Sequence, residues 1–198
     1  VVLWAAVRGR LVILAAASAI YPWAYVAFWQ LPLILLVSAE GAHLLSGKQL
    51  RWKPAAVAAA GILLGWALHP NARNLLQFNW IQMTDVLFRA AWRATPGVEL
   101  GLEFLPFTPT QWAQWLLACP SLAIAGSVLA WRNRRSDPAP LAFSLAAIAF
   151  GLLTVRTARF AEYFIPFSAA TMALASRYVR WRGVPIVVAI FGCFLLYT

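Results

Sequence analysis

A succession of apolar runs, separated by short turns that carry basic residues or proline, constrains this chain more than any other feature. Such runs occupy residues 11–20, 23–45, 54–69, 111–131, 139–155, 160–176 and 184–198. A helix needs about 20 mainly apolar residues to cross a hydrocarbon layer ~30 Å thick. Most of the runs approach that length, and 11–20 is a half-length one. Hydrophobic residues make up 63% of the 198 positions and charged residues 11%. A soluble domain holds roughly 45–50% and 25% respectively, and a disordered chain is poorer still in apolar residues. Both classes are excluded. Cys119 and Cys193 lie inside apolar runs and read as small hydrophobes, not as a disulfide or a metal pair.

The expected fold is all-α, a polytopic transmembrane helix bundle of about six spans plus an amphipathic helix on the outer face. Residues 1–198 form one transmembrane domain. Position 1 is not methionine and the chain opens inside an apolar stretch, so it reads as part of a larger protein. Tyr21-Pro22-Trp23 predicts a break after the first run, and Pro32 predicts a kink within the second. The run 54–69 is rich in small residues from Ala55 to Gly65, which suits close helix packing. Residues 70–110 form an outer loop in which Leu76, Trp80, Met83 and Leu87 recur at helical spacing. That is the pattern of a helix lying in the membrane interface.

Charge sets the orientation. The formal charge is +10, from 16 basic and 6 acidic residues. Cytoplasmic loops of membrane proteins collect Lys and Arg, so the excess implies no nucleic-acid partner. Arg8, Arg10, Lys48, Arg51, Lys53, Arg132, Arg134, Arg135, Arg177, Arg180 and Arg182 fall on one side. Arg73, Arg89, Arg93, Arg156 and Arg159 fall on the other, with Asp85, Glu99, Glu103 and Glu162. The segment 69–110 and the turn 155–162 therefore face outward, and tryptophans near the run ends suit the interfacial aromatic belt.

No phosphate-cradling glycine loop, metal-ligand Cys/His spacing or nucleophile elbow is present. Chemistry must be sought where polar residues survive at the outer membrane edge. If 155–166 opens a helix, Arg156, Arg159 and Tyr163 share a face. Guanidinium is planar, permanently charged and suited to a lipid phosphate. An Arg159–Glu162 ion pair, or arginines reaching toward headgroups, is the plainer alternative. His69-Pro70-Asn71 marks a span end. Glu99 and Glu103 are outer carboxylates able to bind a divalent cation, magnesium or manganese, or to take a proton. Asp85 and Arg89 are spaced as a surface pair.

Three stretches resemble the membrane domain of GT-C glycosyltransferases, which use polyprenyl-phosphate-linked sugars. Arg159-Phe160-x-x-Tyr163-Phe164 is similar to the Arg-Phe-x-x-Tyr stretch of oligosaccharyltransferase catalytic subunits. Gly61-Ile62-Leu63-Leu64-Gly65 with His69-Pro70-Asn71 resembles the span-to-loop passage of bacterial members, and Gly97 to Pro106 their outer-loop segment. The likeness covers roughly residues 20–176. It implies that Arg159 holds the carrier phosphate, with Arg156, Arg73 and Tyr163 assisting, and that Glu103 is the acid near the reaction centre. It also implies a bacterial inner-membrane enzyme whose site faces the periplasm, with membrane lipids and a polyprenyl-phosphate-linked sugar as partners. The family's paired acids of the first outer loop are not in this sequence, which puts activity of the chain alone in doubt. An assembly subunit with protein partners in the membrane, or a transporter fragment, is the competing reading.

Overall fold

The computed structural model describes residues 1–24, 31–82, 84 and 105–179. Among the described residues every regular element is helical. In chain order these are α1 (Val2–Arg8), α2 (Leu11–Ala24), α3 (Leu31–Leu45), α4 (Trp52–Ala67), α5 (Ala72–Trp80), α6 (Pro109–Gln111), α7 (Ala118–Arg132), α8 (Ala139–Arg156) and α9 (Ala161–Ser176). A π-helical stretch, Trp112–Leu116, joins α6 to α7, and backbone angles at Trp112 and Leu117 stay right-handed helical. Pro109 to Arg132 is thus one helical rod with a π bulge. A 3-10 turn, Ala158–Phe160, leads into α9.

Local chemistry sets the ends. A reciprocal capping box between Thr108 and Gln111 opens α6. Asp137 Oδ1 accepts the Ala139 N–H at 2.8 Å at the start of α8, and Pro140 occupies the first turn, where a missing N–H is harmless. The helix stops where Thr157 turns extended, at φ −152° and ψ 134°. One proline behaves differently from expectation. Pro22 does not end its run; α2 continues through it to Ala24. Its ring forfeits one backbone bond, a loss that packing partners tolerate in apolar surroundings. Pro32 lies in the first described turn of α3, next to residues 25–30, which are outside the described residues.

Ala139–Arg156 is long and apolar enough to cross a membrane. The pair α4 and α5 passes the same test together but is bent by 115°, while α2 and α3 are shorter apolar helices. The bend puts the polar-faced α5 almost across the axis of α4, held by the Trp66 indole N–H donating to the Ala72 carbonyl at 2.9 Å.

Helix α2 packs on α4. Helices α7, α8 and α9 pack on one another, α3 lies on α8, and α1 touches α2 and α3. Glycines set the closest approaches. A Cβ added at Gly61 would sit 2.7 Å from the Ala15 carbonyl oxygen, and one at Gly65 would overlap the Ala19 carbonyl. Gly126 of α7 meets the backbone of Met172 in α9, 2.9 Å from where a Cβ would stand. These are small-residue contacts of the kind that let helix backbones touch in lipid.

Small residues share the interior with large ones such as Leu141 on α8 and Ile62 on α4, and large apolar side chains also cover the outside. On α8 the buried positions include Ala142, Ala146, Ala147 and Thr154 around Phe150, whereas Ile148, Leu152 and Val155 are exposed. On α4, Ala58, Gly61 and Gly65 are buried while Leu63 and Leu64 are exposed. Hydroxyls inside the bundle bond back along their own helices: Thr154 to Phe150 O at 2.7 Å, Ser168 to Phe164 O at 2.7 Å, Thr171 to Phe167 O at 2.7 Å. Ser127 and Ser144 join α7 to α8 at 2.6 Å.

Hydrogen bonds sort the turns into two ends. At one, Arg51 of the α3–α4 turn reaches the carbonyls that finish α1, Arg134 of the α7–α8 turn donates to Leu45 O at 3.2 Å, and Arg177 pairs with Asp137. At the other, Ala158 N donates to Leu105 O at 2.9 Å, Trp112 packs on Phe164, and Trp23 binds the last turn of α4. The basic turns thus share one end, opposite His69, Arg156 and Arg159.

Candidate site at the basic-poor end

An apolar groove of about 640 Å³ runs between α2 and α9, with α1 and Leu35 of α3 completing it. Val12, Ile13, Ala16, Ile20 and Ala24 form one wall, and Tyr163 and Phe167 the other. The walls meet where the Tyr21 and Tyr163 hydroxyls approach to 3.4 Å. Phe150 stiffens the α9 wall from behind, stacking on Tyr163 at 4.9 Å and on Phe167 at 5.4 Å between centroids. Apart from the two phenols the lining is hydrocarbon, so the groove offers an extended aliphatic or isoprenoid chain a dry surface.

Arg159 sits one helical turn before Tyr163. It lies in the 3-10 turn Ala158–Phe160 that leads into α9, and Tyr163 and Phe167 succeed one another along the α9 face that lines the groove. The Arg159 Nε lies 3.6 Å from Glu162 Oε1, with the side chains 34% and 45% exposed. The pair is loose and solvated, a geometry worth little in stability. Arg156 does not share that face. It is the last residue of α8, and the extended Thr157 separates it from α9, so the single-helix reading of Arg156, Arg159 and Tyr163 is corrected to two elements meeting at a corner. Buried Thr157 holds the corner.

His69 and Arg73 belong to a different corner, the bend between α4 and α5. Arg73 is exposed in the first turn of α5, which packs on α4 rather than on α9. His69, Asn71, Asn74, Leu75 and Phe78 line a second cavity of about 290 Å³. The Asn71 N–H donates to His69 Nδ1 at 3.1 Å, and Asn74 Nδ2 donates to Asn71 Oδ1 at 2.6 Å. Trp23 ties the corner to α2. Its ring meets His69 edge-on at 5.2 Å, and its indole N–H donates to Gly65 O at 2.8 Å.

Glu103 and Glu99 lie outside the described residues, as do Asp85, Arg89, Met83 and Leu87. Each described acid pairs with an arginine: Glu40 with Arg51, Asp137 with Arg177, Glu162 with Arg159. Among the described residues no three His, Cys, Asp or Glu gather as a metal site.

One polar cluster escaped the sequence reading. Glu40 and His43 are buried on one face of α3, toward its basic end. The Arg51 guanidinium binds Glu40 Oε1 at 2.8 Å and Ala6 O at 2.9 Å, and its backbone N–H binds Glu40 Oε2 at 2.9 Å. This clasp joins α1, α3 and the start of α4. The signal was there to find: an acid and an imidazole three apart inside an apolar run. No protein family, curated protein or solved structure matches the chain.

Proposed function

We propose that this chain is the carrier-binding part of a GT-C-type membrane glycosyltransferase. It is a polytopic bundle of the bacterial inner membrane whose site faces the periplasm. The observation that carries the reading is the apolar groove between α2 and α9, with Arg159 one turn beyond its Tyr163 wall. A polyprenyl tail lies in the groove, and its phosphate is bound by the guanidinium of Arg159. The large apolar side chains on the outside of the bundle and the close glycine contacts between helices support membrane burial of several helices, including those too short by themselves. In this reading the bulged rod Pro109–Arg132, about 36 Å at 1.5 Å per residue, serves as a further span.

In the transfer, an acceptor hydroxyl attacks the anomeric carbon and its proton passes to Glu103. The bond from that carbon to the carrier phosphate oxygen breaks, and the phosphate keeps the electron pair beside Arg159. Arg156, at the adjoining corner, adds positive potential, while Arg73 serves the α5 side. The Arg159–Glu162 contact also suits a second reading, an assembly subunit in which the corner is merely structural. The test is Arg159→Ala in the full-length protein in membranes. Transfer from polyprenyl-phosphate-linked sugar falls about 10- to 100-fold, the worth of a hydrogen bond to a charged group, with insertion unchanged. Unaltered turnover would leave only the structural reading.

A further inference from the structure

The polar corner at the basic end has no part in carrier binding. Glu40 and His43 are three residues apart in α3 and are 7% and 6% exposed. Ionisable side chains inside an apolar helix are costly and mark function. The role of Glu40 is plain. Its carboxylate holds the Arg51 guanidinium, which in turn donates to the Ala6 carbonyl at 2.9 Å and fastens the end of α1. His43 has no such role. Neither of its ring nitrogens has a hydrogen-bond partner, although the Val7 carbonyl of α1 lies beside the ring. A buried donor and acceptor left unpaired cost the docked arrangement free energy that contact with water would return.

The charges around the ring favour the neutral imidazole while α1 is docked. Glu40 supplies negative charge, and Arg51 already occupies it. Lys48 and Arg51 of the α3–α4 turn oppose a further cation. Arg8 ends α1, Lys53 lies in the first turn of α4, and Arg134 reaches Leu45 O from the α7–α8 turn. Helix α8, which packs on α3, carries no ionisable side chain before Arg156 at its far end. A proton on His43 therefore adds a cation to a crowded cationic corner whose carboxylate is committed. With α1 undocked, the ring meets water and takes the proton freely. The state that binds the proton more readily gains as pH falls, and that state is the undocked one. We propose that His43 is a proton-operated release for the clasp that docks α1. Val1 and Val2 of α1 line the apolar groove, so the release of α1 removes part of that wall and widens the groove. The inference stands on the buried corner, whatever the groove carries.

Hydrogen exchange of the full-length protein in lipid nanodiscs reads the release. The amides of Ala5, Gly9 and Arg10 are hydrogen-bonded when α1 is docked. Their exchange, corrected for intrinsic rates, is compared at about pH 7.5 and about pH 5, on either side of the imidazole range. Exchange about tenfold faster at the lower pH is expected, the effect of a tenfold difference in proton affinity between the docked and undocked states. His43→Leu fills the space with no polar atom, and His43→Gln keeps polar atoms but cannot titrate in this range. Both should remove the pH dependence, and His43→Gln decides the matter where His43→Leu fails to fold. His69→Gln, at the other end and the only other histidine of the sequence, should retain it. A wild type whose α1 exchange ignores pH overturns the proposal. So does an acid response that survives His43→Gln, which would assign the titration to Glu40, or one that disappears with His69→Gln.

Discussion

At the scale of single residues, glycine sets the limits of this molecule. Gly65 faces the Ala19 backbone so closely that no Cβ fits, whereas a Cβ at Gly41 would meet only the tip of Leu145 at 3.4 Å. Gly65→Ala must therefore push α2 away from α4, and a loss of about 1–3 kcal/mol is expected, as for an overpacked core. Gly41→Ala should be neutral or slightly stabilising, since alanine is the better helix former by about 1 kcal/mol. Thermal inactivation of the two variants in one detergent makes the comparison. Gly9 and Gly47 serve another purpose, adopting φ of 67° and 77° in turns at the basic end. The residues that would carry function were legible only as types. Arg159 stood out because arginine is costly inside apolar sequence. Its loose partner Glu162 was a visible alternative in the sequence, and its distance from Arg156 across a chain corner was not, because the break at Thr157 has no proline or glycine to announce it.

At the scale of elements, the sequence located helices well and their ends less well. The run 139–155 became Ala139–Arg156, and 160–176 became Ala161–Ser176; both are bounded by charged turns that apolar periodicity cannot cross. The run 23–45 misled at its start, because Tyr21-Pro22 looked like a stop when Pro22 lies inside α2. The π bulge at Trp112–Leu116 was invisible, since it shifts the phase of a helix without changing composition. The α1 helix was unforeseen for its shortness. Its buried Val2, Leu3, Ala5, Ala6 and Val7 pack it into the core, and the Arg51–Glu40 clasp binds its last carbonyls. Glu40→Ala strands a partly buried guanidinium, with an expected cost of about 2–4 kcal/mol. The double variant Glu40→Ala with Arg51→Leu should recover most of it, because the removal of both partners leaves no uncompensated charge. Denaturation of the single and double variants in micelles reads the difference directly.

At the scale of the whole molecule, the hydrogen-bonded turns predict sidedness. Arg51, Arg134 and Arg177 mark one end, and Trp23, His69 and Ala158 the other. In a background lacking Cys119 and Cys193, Lys48→Cys and Gln77→Cys are exposed positions on opposite ends. A membrane-impermeant thiol reagent added outside intact cells should label Gln77→Cys and spare Lys48→Cys until the membrane is opened. Labelling of both from outside would contradict the alternation of helices. The asymmetry of basic residues makes this sidedness legible in the amino-acid sequence by itself, because charge bias acts on loops regardless of how the helices pack. The groove was not legible, because its walls come from helices distant in sequence and made of ordinary apolar residues.

The backbone contacts at Gly61, Gly65 and Gly126 carry a consequence for mutational tolerance. In a water-soluble core, truncation is the usual injury, because it leaves a void. Where α2 meets α4 and α7 meets α9 the helices already touch backbone to backbone, so enlargement at those glycines does the harm, while an outward leucine can be exchanged for valine, isoleucine or phenylalanine at little cost. Random substitution should therefore divide each helix into a permissive stripe and a forbidding one, with bulk rather than polarity as the first quantity selected against.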